Sequence, residues 1–114
     1  MDIEAFELVI LRHPADAPSY AEETLDRIQR AHLAYGDSLR AAGHIVTNGP
    51  VLDQLDASMR GLAFYRTGSL DEARRLAAQD PAVRAGRLVV EVMTWWCWPG
   101  TMARPGRPLS VPDP

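Results

Sequence analysis

The stretch RAHLAYGDSLRAAGHIVTNGP, residues 30–50, joins a predicted helix to a predicted strand and contains a histidine at an unusual place. One side of the helix is formed by six residues that recur every three or four positions: Leu25, Ile28, His32, Tyr35, Leu39 and Ala42. Five of them suit a hydrophobic core, whereas His32 has two ring nitrogens that need hydrogen-bond partners. We therefore expect His32 to be either a satisfied core histidine or a side chain that faces a pocket.

The ends and the middle of this helix carry local signals. The helix is predicted over residues 20–42, and Gly43 suits the position that follows a helix C-terminus. Ser19 precedes Glu22 by three residues, which is the spacing of a capping box. Gly36 costs the helix about 1 kcal/mol relative to alanine, so its presence predicts close packing or a local bend.

Four strands and a second helix are predicted around this stretch. The strands are indicated by apolar, β-branched and aromatic residues, and the helix by its cap signature and the Asp-Pro pair after it. They are AFELVIL (5–11), HIVTN (44–48), MRGLAFYR (59–66), the helix LDEARRLAAQ (70–79) and RLVVEVMTWWCW (87–98). The β-α-β-β-α-β order is the split βαβ, or ferredoxin-like, pattern. It predicts an α+β fold with one antiparallel four-stranded sheet and both helices on one face.

The last predicted strand is apolar on both sides. One face carries Leu88, Val90, Val92 and Trp96. The other carries Val89, Met93 and Trp95. Such a strand is expected to be buried on both faces, so the helix-free face of the sheet needs a cover. For one domain over residues 1–98 the simplest cover is a second copy, and we expect a homodimer with facing sheets. Residues 99–114 hold five of the nine prolines and are predicted to form an extended or disordered tail.

Composition and charge argue against several classes of protein. The 114 residues carry a formal net charge of -3, and nothing in the sequence resembles the clustered basic residues of a nucleic-acid-binding face. No stretch approaches the ~20 apolar residues of a membrane helix. The acidic start lacks the pattern of a signal peptide, which favours a cytoplasmic location. Cys97 and the three histidines have no spacing typical of a metal site, and we expect no metal or other cofactor.

His32 and Asp80 are ionisable residues whose positions need an explanation. An imidazole takes up and returns protons near neutral pH. Asp80 lies before Pro81 at the predicted end of the second helix, the unfavourable end of the helix dipole for a carboxylate. Local backbone hydrogen bonds would explain this position. A partner elsewhere would also explain it, and His32 is a candidate, because a carboxylate fixes the tautomer of a histidine ring.

Five further residues are candidates for binding a small-molecule substrate: Arg12, Tyr35, Gly49, Pro50 and Arg66. Tyr35 shares the helical face of His32, and its hydroxyl would orient a polar substrate. The Gly49-Pro50 backbone would line the pocket, and the two arginines at predicted strand ends would bind an anionic group. Each also has a structural explanation, namely core packing, turn geometry or a solvated surface.

Three ordered segments carry a resemblance to a known family: HLAY, AAGHIVTNGP and GSLDEARRLAAQDPAVRAG. Over residues 5–98 the chain resembles the YCII-related (YciI-like) family of the dimeric α/β-barrel superfamily. It departs from the family at Gln29, where arginine is frequent, and in the tryptophan-rich strand end and the proline-rich tail. The resemblance implies small enzymes with a His–Asp pair in a pocket, here His32 and Asp80, and one relative that removes chloride from a hydroxyquinone-type substrate.

The predicted function is therefore that of a small, cofactor-independent enzyme in which His32 is the general acid/base and Asp80 orients it. Elimination, isomerisation or cyclisation of an aromatic or polyketide-like molecule would suit an apolar pocket with one proton-transfer group. Three alternatives stay open. They are a non-catalytic binding or accessory protein, a module docked to a larger enzyme, and a cofactor-independent monooxygenase of the related dimeric barrels.

Overall fold

The computed structural model describes residues 1–103 and 106–113 of the chain. Within these residues four strands and three α-helices follow one another in the predicted order, with one short helix added. They are β1 (Glu4–Arg12), α1 (Glu22–Ala41), β2 (Ile45–Pro50), β3 (Met59–Tyr65), α2 (Leu70–Ala78), α3 (Pro81–Arg84) and β4 (Val89–Cys97). A single 3₁₀ turn, Thr101–Ala103, follows β4. The predicted α+β, ferredoxin-like fold is confirmed.

The four strands form one antiparallel sheet in the order β2-β3-β1-β4. The two strands with the most regularly buried residues, β1 and β3, lie in the centre. Their register places Val9 opposite Ala63 and Glu7 opposite Tyr65. Because side chains alternate between the two faces of a sheet, these four residues point to the same face.

This face carries the hydrophobic core, and the helices lie on it. Its buried residues come from the sheet and from both longer helices: Val9, Leu39, Ile45, Ala63, Tyr65, Ala73, Leu76 and Ala77. Val9, in the central strand, is completely buried. The core forms here because the apolar stripe of α1 and the small residues of α2 can approach the sheet closely.

The opposite face of the sheet, here called the open face, is also apolar. The rings of Phe6, Phe64 and Trp95 pack against one another there, with centroids 5.1 to 6.5 Å apart. Met93 and Trp95 are each 36% exposed and Val89 is 47% exposed. The two-sided apolar character predicted for the last strand is thus present, and no helix covers its outer side among the described residues.

The start of α1 differs from the prediction. The helix begins two residues later than expected, and its N-cap is Ala21, which makes no side-chain cap. The predicted capping box at Ser19 is therefore wrong. The preceding loop is held elsewhere, since the Tyr20 hydroxyl donates to the Ala85 carbonyl at 2.6 Å.

The helix α3 was not predicted, because four residues are too few to show a helical period. The Asp-Pro pair was interpreted only as the end of α2, which ends at Ala78. The same pair begins α3, with Asp80 as its N-cap and Pro81 in its first turn. The largest differences at strand ends are two residues: β2 continues through Pro50, and β4 begins at Val89 rather than at residue 87.

Transmembrane helices were sought in the described part of the chain. None of the helices there combines the length and the apolar character needed to span a bilayer.

Candidate active site

A small cavity lies between α1, α2 and the core face of the sheet. Its volume is about 20 Å³, which is enough for one water molecule and far below the roughly 150 Å³ of a cavity that holds benzene. It is lined by Val9, Leu11, His32, Tyr35, Gly36, Leu39, Ile45, Asn48, Ala63, Tyr65, Ala77 and Asp80. The lining is mostly apolar, with a few polar groups among it.

His32 and Asp80 are in contact at this cavity. The His32 Nδ1 and Asp80 Oδ2 atoms are 2.6 Å apart, and the side chains are 21% and 11% exposed. An ionised carboxylate can only accept hydrogen bonds, so Nδ1 carries the proton and donates it. In the neutral ring, Nε2 then has an available lone pair.

The second oxygen of Asp80 has a different partner. Oδ1 accepts a hydrogen bond from the backbone N–H of Ala82 at 2.8 Å and so caps α3. Both explanations offered for Asp80 therefore apply at once: it accepts a local backbone hydrogen bond and one from His32. The expectation that this carboxylate lies at an unfavourable helix end is incomplete, because it also lies at the N-terminus of α3, where negative charge is favoured.

Tyr35 lies beside the pair and connects the two longer helices. Its hydroxyl donates to the Leu76 carbonyl at 2.7 Å. Burial raises the pKa of the Tyr35 phenol, the negative charge of Asp80 raises it further, and Arg75 opposes this change. The phenol therefore stays protonated and keeps its hydrogen bond to the Leu76 carbonyl. Only the lone pairs of the Tyr35 oxygen remain available to a ligand.

One edge of the cavity is formed where α1 meets β2. A Cβ atom at Gly36 would be 3.3 Å from Asn48 Nδ2, and the Arg40 guanidinium donates to Asn48 Oδ1. The close packing predicted from the helical glycine is confirmed. The exposed Asn48 side chain thus lines the edge of the cavity beside α1.

The other proposed binding residues lie outside the cavity lining. Gly49 and Pro50 are in β2, paired with Leu62 and Gly61 of β3. Arg12 forms ion pairs with Asp56, at 2.9 Å, and with Glu91. Its partner Glu91 lies on β4 opposite Ile10, on the open face.

Arg66, which follows β3, is exposed. The substrate-binding roles of Arg12, Gly49, Pro50 and Arg66 stay predictions, and the structure does not bring these residues to His32.

Two lining residues, Asn48 and Tyr65, were not among the predicted site residues. A signal for Tyr65 exists in the sequence. Gly61, Ala63 and Tyr65 alternate along β3 and are all buried on its core face. Two small residues beside a tyrosine on one face leave room above a strand, and that pattern is visible without a structure.

The cavity offers one group suited to proton transfer. Among the described residues, no cluster of three or more His, Cys, Asp or Glu side chains could hold a metal ion. The His32 ring is bonded at Nδ1 to a carboxylate that also caps α3, and it lines a mostly apolar cavity. Such an arrangement can remove a proton from a small molecule and return it.

The family follows from a comparison of the whole sequence with family models. The YCII-related domain matches residues 7–96, which include β2, β3, most of β1 and β4, and the His32–Asp80 pair. The chain belongs to the YCII-related domain family, and the predicted membership is confirmed. A comparison with curated protein sequences gave no match.

A solved structure with a similar fold is 5-chloro-2-hydroxyhydroquinone dehydrochlorinase from Burkholderia phenoliruptrix AC1100, in complex with 2,5-dihydroxybenzoquinone. The TM-score is 0.57 and the sequence identity is 23%, over 79% of this chain and 92% of that one. At this identity the likeness supports the fold, and the activity in that name is a property of the bacterial dehydrochlorinase.

Proposed function

We propose that this protein is a small enzyme that needs no cofactor and transfers protons on a small molecule through His32. The observation that carries the proposal is the 2.6 Å contact between His32 Nδ1 and Asp80 Oδ2 at the edge of an apolar cavity. A carboxylate on Nδ1 keeps Nε2 available as a base and stabilises the imidazolium that forms when it takes a proton.

The reaction class is a proton transfer coupled to a second bond change. His32 Nε2 takes a proton from a C–H or O–H group, and the electrons of that bond form a new double bond. In an elimination a leaving group departs with its own electron pair. In an isomerisation the imidazolium returns the proton to another atom of the same molecule.

The proposed substrate is a small, oxygen-substituted ring. The apolar lining suits a flat hydrocarbon framework, and the polar groups suit one or two oxygen atoms on it. Support for this class comes from the fold neighbour, whose name gives a chlorinated hydroxyhydroquinone as substrate and whose structure holds a dihydroxybenzoquinone. With only about 20 Å³ enclosed, a ring enters after lining side chains move, or places only its reacting edge inside.

We also propose that the protein acts as a homodimer that associates through the open face. Support comes from the apolar side chains exposed there, including Met93 and Trp95 at 36% each and Val89 at 47%. Adjacent apolar side chains on a sheet that no helix covers are typical of an interface.

The proposal is tested by hydrogen exchange at the ring carbons of 2,5-dihydroxybenzoquinone in D₂O, followed by ¹H NMR. Each C–H of this ring lies between a carbonyl carbon and a hydroxyl-bearing carbon, so exchange adds a deuteron and removes the proton at one atom. We expect wild-type protein to accelerate exchange, and His32→Gln to lower the rate by a factor on the order of 10² to 10⁴.

His44→Gln is the matched control, because His44 lies outside the cavity lining and its loss should leave the rate unchanged. Binding without accelerated exchange would contradict the enzymatic proposal and favour a binding protein. Uptake of oxygen by the mixture would contradict it in favour of a monooxygenase. A His32→Gln protein that exchanges as fast as wild type would show that another group transfers the proton.

A further inference from the structure

Tyr65 is the last residue of β3 and lies on the core face of the sheet. It pairs with Glu7 of β1 and with Ile45 of β2. Its side chain is 4% exposed and lines the same cavity as His32 and Asp80. The proposed chemistry above does not use this residue.

The hydroxyl of Tyr65 differs from those of the other two tyrosines. Tyr20 donates to the Ala85 carbonyl at 2.6 Å and Tyr35 to the Leu76 carbonyl at 2.7 Å. Over residues 1–103 and 106–113 the Tyr65 hydroxyl has no hydrogen-bond partner. In the same residues every fully shielded side-chain oxygen and nitrogen is paired. The unpaired Tyr65 oxygen is therefore not fully shielded, and Tyr65 is one of the residues that line the cavity.

A hydroxyl in a core needs a hydrogen-bond partner, and no described protein group supplies one for Tyr65. A small molecule in the cavity has to supply it, whereas phenylalanine would pack there without that need. The hydroxyl is therefore suited to a partner that enters the cavity from outside.

The surroundings of Tyr65 keep its phenol protonated. Burial raises the pKa of Tyr65 strongly, and the nearby Tyr35 and Asp80 raise it further. A phenol that holds its proton at all ordinary pH values can donate a hydrogen bond at neutral pH. It adds a donor to a cavity in which the Tyr35 proton is already committed to Leu76.

We propose that Tyr65 is a substrate-binding residue whose hydroxyl donates a hydrogen bond to a carbonyl or enolate oxygen of the ring that His32 acts on. The inference rests on the proposed function and specifies its substrate class as a ketone or quinone with an oxygen next to the exchanging carbon. During exchange that carbon first takes up a deuteron and becomes tetrahedral. When His32 then removes its proton, the electrons of the C–H bond move towards the oxygen and form an enolate. A donor placed at that oxygen binds the enolate more strongly than the ketone.

The experiment uses the full chain labelled with ¹³C at the Cζ atom of tyrosine, which gives one signal for each of the three tyrosines. The probe is 2,5-dihydroxybenzoquinone, and Tyr→Phe variants assign the signals. We expect the probe to shift the Tyr65 signal and not the Tyr20 signal. Tyr65→Phe should weaken binding about tenfold, the usual effect of losing one hydrogen bond, and should lower the exchange rate at saturation as well.

Tyr20→Phe is the matched control. It removes a phenol hydroxyl that bonds the Ala85 carbonyl, and neither residue lines the cavity, so both binding and exchange should stay unchanged. A Tyr65 signal that the bound probe does not move, or a Tyr65→Phe protein that binds and exchanges as wild type does, would overturn the inference and leave the proposed function standing.

The two proposals fail in different ways. Binding through Tyr65 without accelerated exchange would overturn the proposed function and keep Tyr65 as a ligand-binding residue. Absence of binding by the wild-type protein would overturn the substrate class and the role of Tyr65 together.

Discussion

Asp80 divides its two carboxylate oxygens between a helix cap and a histidine. Oδ1 accepts from the Ala82 backbone at 2.8 Å, and Oδ2 accepts from His32 at 2.6 Å. Because the cap holds the carboxylate in place, the group that orients His32 has little freedom to reorganise when the ring changes its charge. Preorganisation of this kind is what makes a fixed dipole or charge effective in a reaction.

At Gly36 a single added methyl group tests how firmly the edge of the cavity is packed. Gly36→Ala should raise the free energy of unfolding by up to about 1 kcal/mol, because alanine favours the helix. The new Cβ would be 3.3 Å from Asn48 Nδ2, so the exposed Asn48 side chain has to shift by a few tenths of an ångström. The change is measured by urea denaturation.

Ala34→Gly is the control for this variant. Ala34 is exposed in the same helix, so its change reports helix propensity alone and should cost about 1 kcal/mol. If Gly36→Ala destabilises the protein while Ala34→Gly behaves as expected, the Asn48 side chain is fixed and the expectation for Gly36 is wrong.

The two proposed catalytic residues could be predicted from the sequence because each breaks a local rule. His32 interrupts an apolar helical stripe, and Asp80 stands at a helix boundary, so both attract attention. Tyr65 breaks no rule, because a tyrosine in a strand is an ordinary core residue. Its unpaired hydroxyl depends on which backbone groups the fold brings near it, and no local pattern records that.

Among the secondary-structure elements, the helix caps show how local spacing alone can mislead. Ser19 and Ser69 each precede a glutamate by three residues. Ser69 Oγ accepts from the Glu72 backbone at 3.2 Å and caps α2, whereas Ser19 makes no cap for α1. The difference is tertiary, because the residues around Ser19 are held against the segment after α3.

Contacts with that segment explain the later start of α1. A Cβ at Gly86 would be 3.0 Å from Pro18 Cδ, and Tyr20 bonds Ala85. These contacts join residues more than sixty positions apart, so they override a capping preference worth about 1 kcal/mol. Element order and type could be predicted from periodicity, while boundaries needed the tertiary structure.

For the molecule as a whole, the sheet follows from the sequence more readily than the assembly does. The β-α-β-β-α-β pattern predicts one antiparallel four-stranded sheet, as found. A strand that is apolar on both faces indicates that something covers the open face. The strand pattern does not identify what covers the open face, because a second copy of the chain and another protein would both bury its apolar side chains.

The homodimer proposed for the open face gives a prediction at this scale. Wild-type protein should sediment as a species of twice the 12.6 kDa chain mass. Met93→Arg should sediment as a monomer, because Met93 lies opposite Leu8 on that face and an unpaired charge is costly to bury. Sedimentation velocity over a range of concentrations measures both proteins.

Leu52→Arg is the corresponding control, since Leu52 is 81% exposed and lies between β2 and β3, outside the sheet. It should sediment as wild type does. A wild-type protein that is monomeric at every concentration, or a Met93→Arg protein that still dimerises, would contradict the open face as the interface.

The central claim is that Asp80 holds His32 with its proton on Nδ1 and its lone pair on Nε2. ¹⁵N NMR of the neutral His32 ring measures this directly, in wild type and in Asp80→Asn. We expect a protonated Nδ1 in wild type. In the variant the amide oxygen has to accept from Ala82, as Oδ1 does now, which turns the NH₂ group towards His32 and moves the ring proton to Nε2. A wild-type ring protonated on Nε2, or a tautomer that Asp80→Asn leaves unchanged, would contradict the claim.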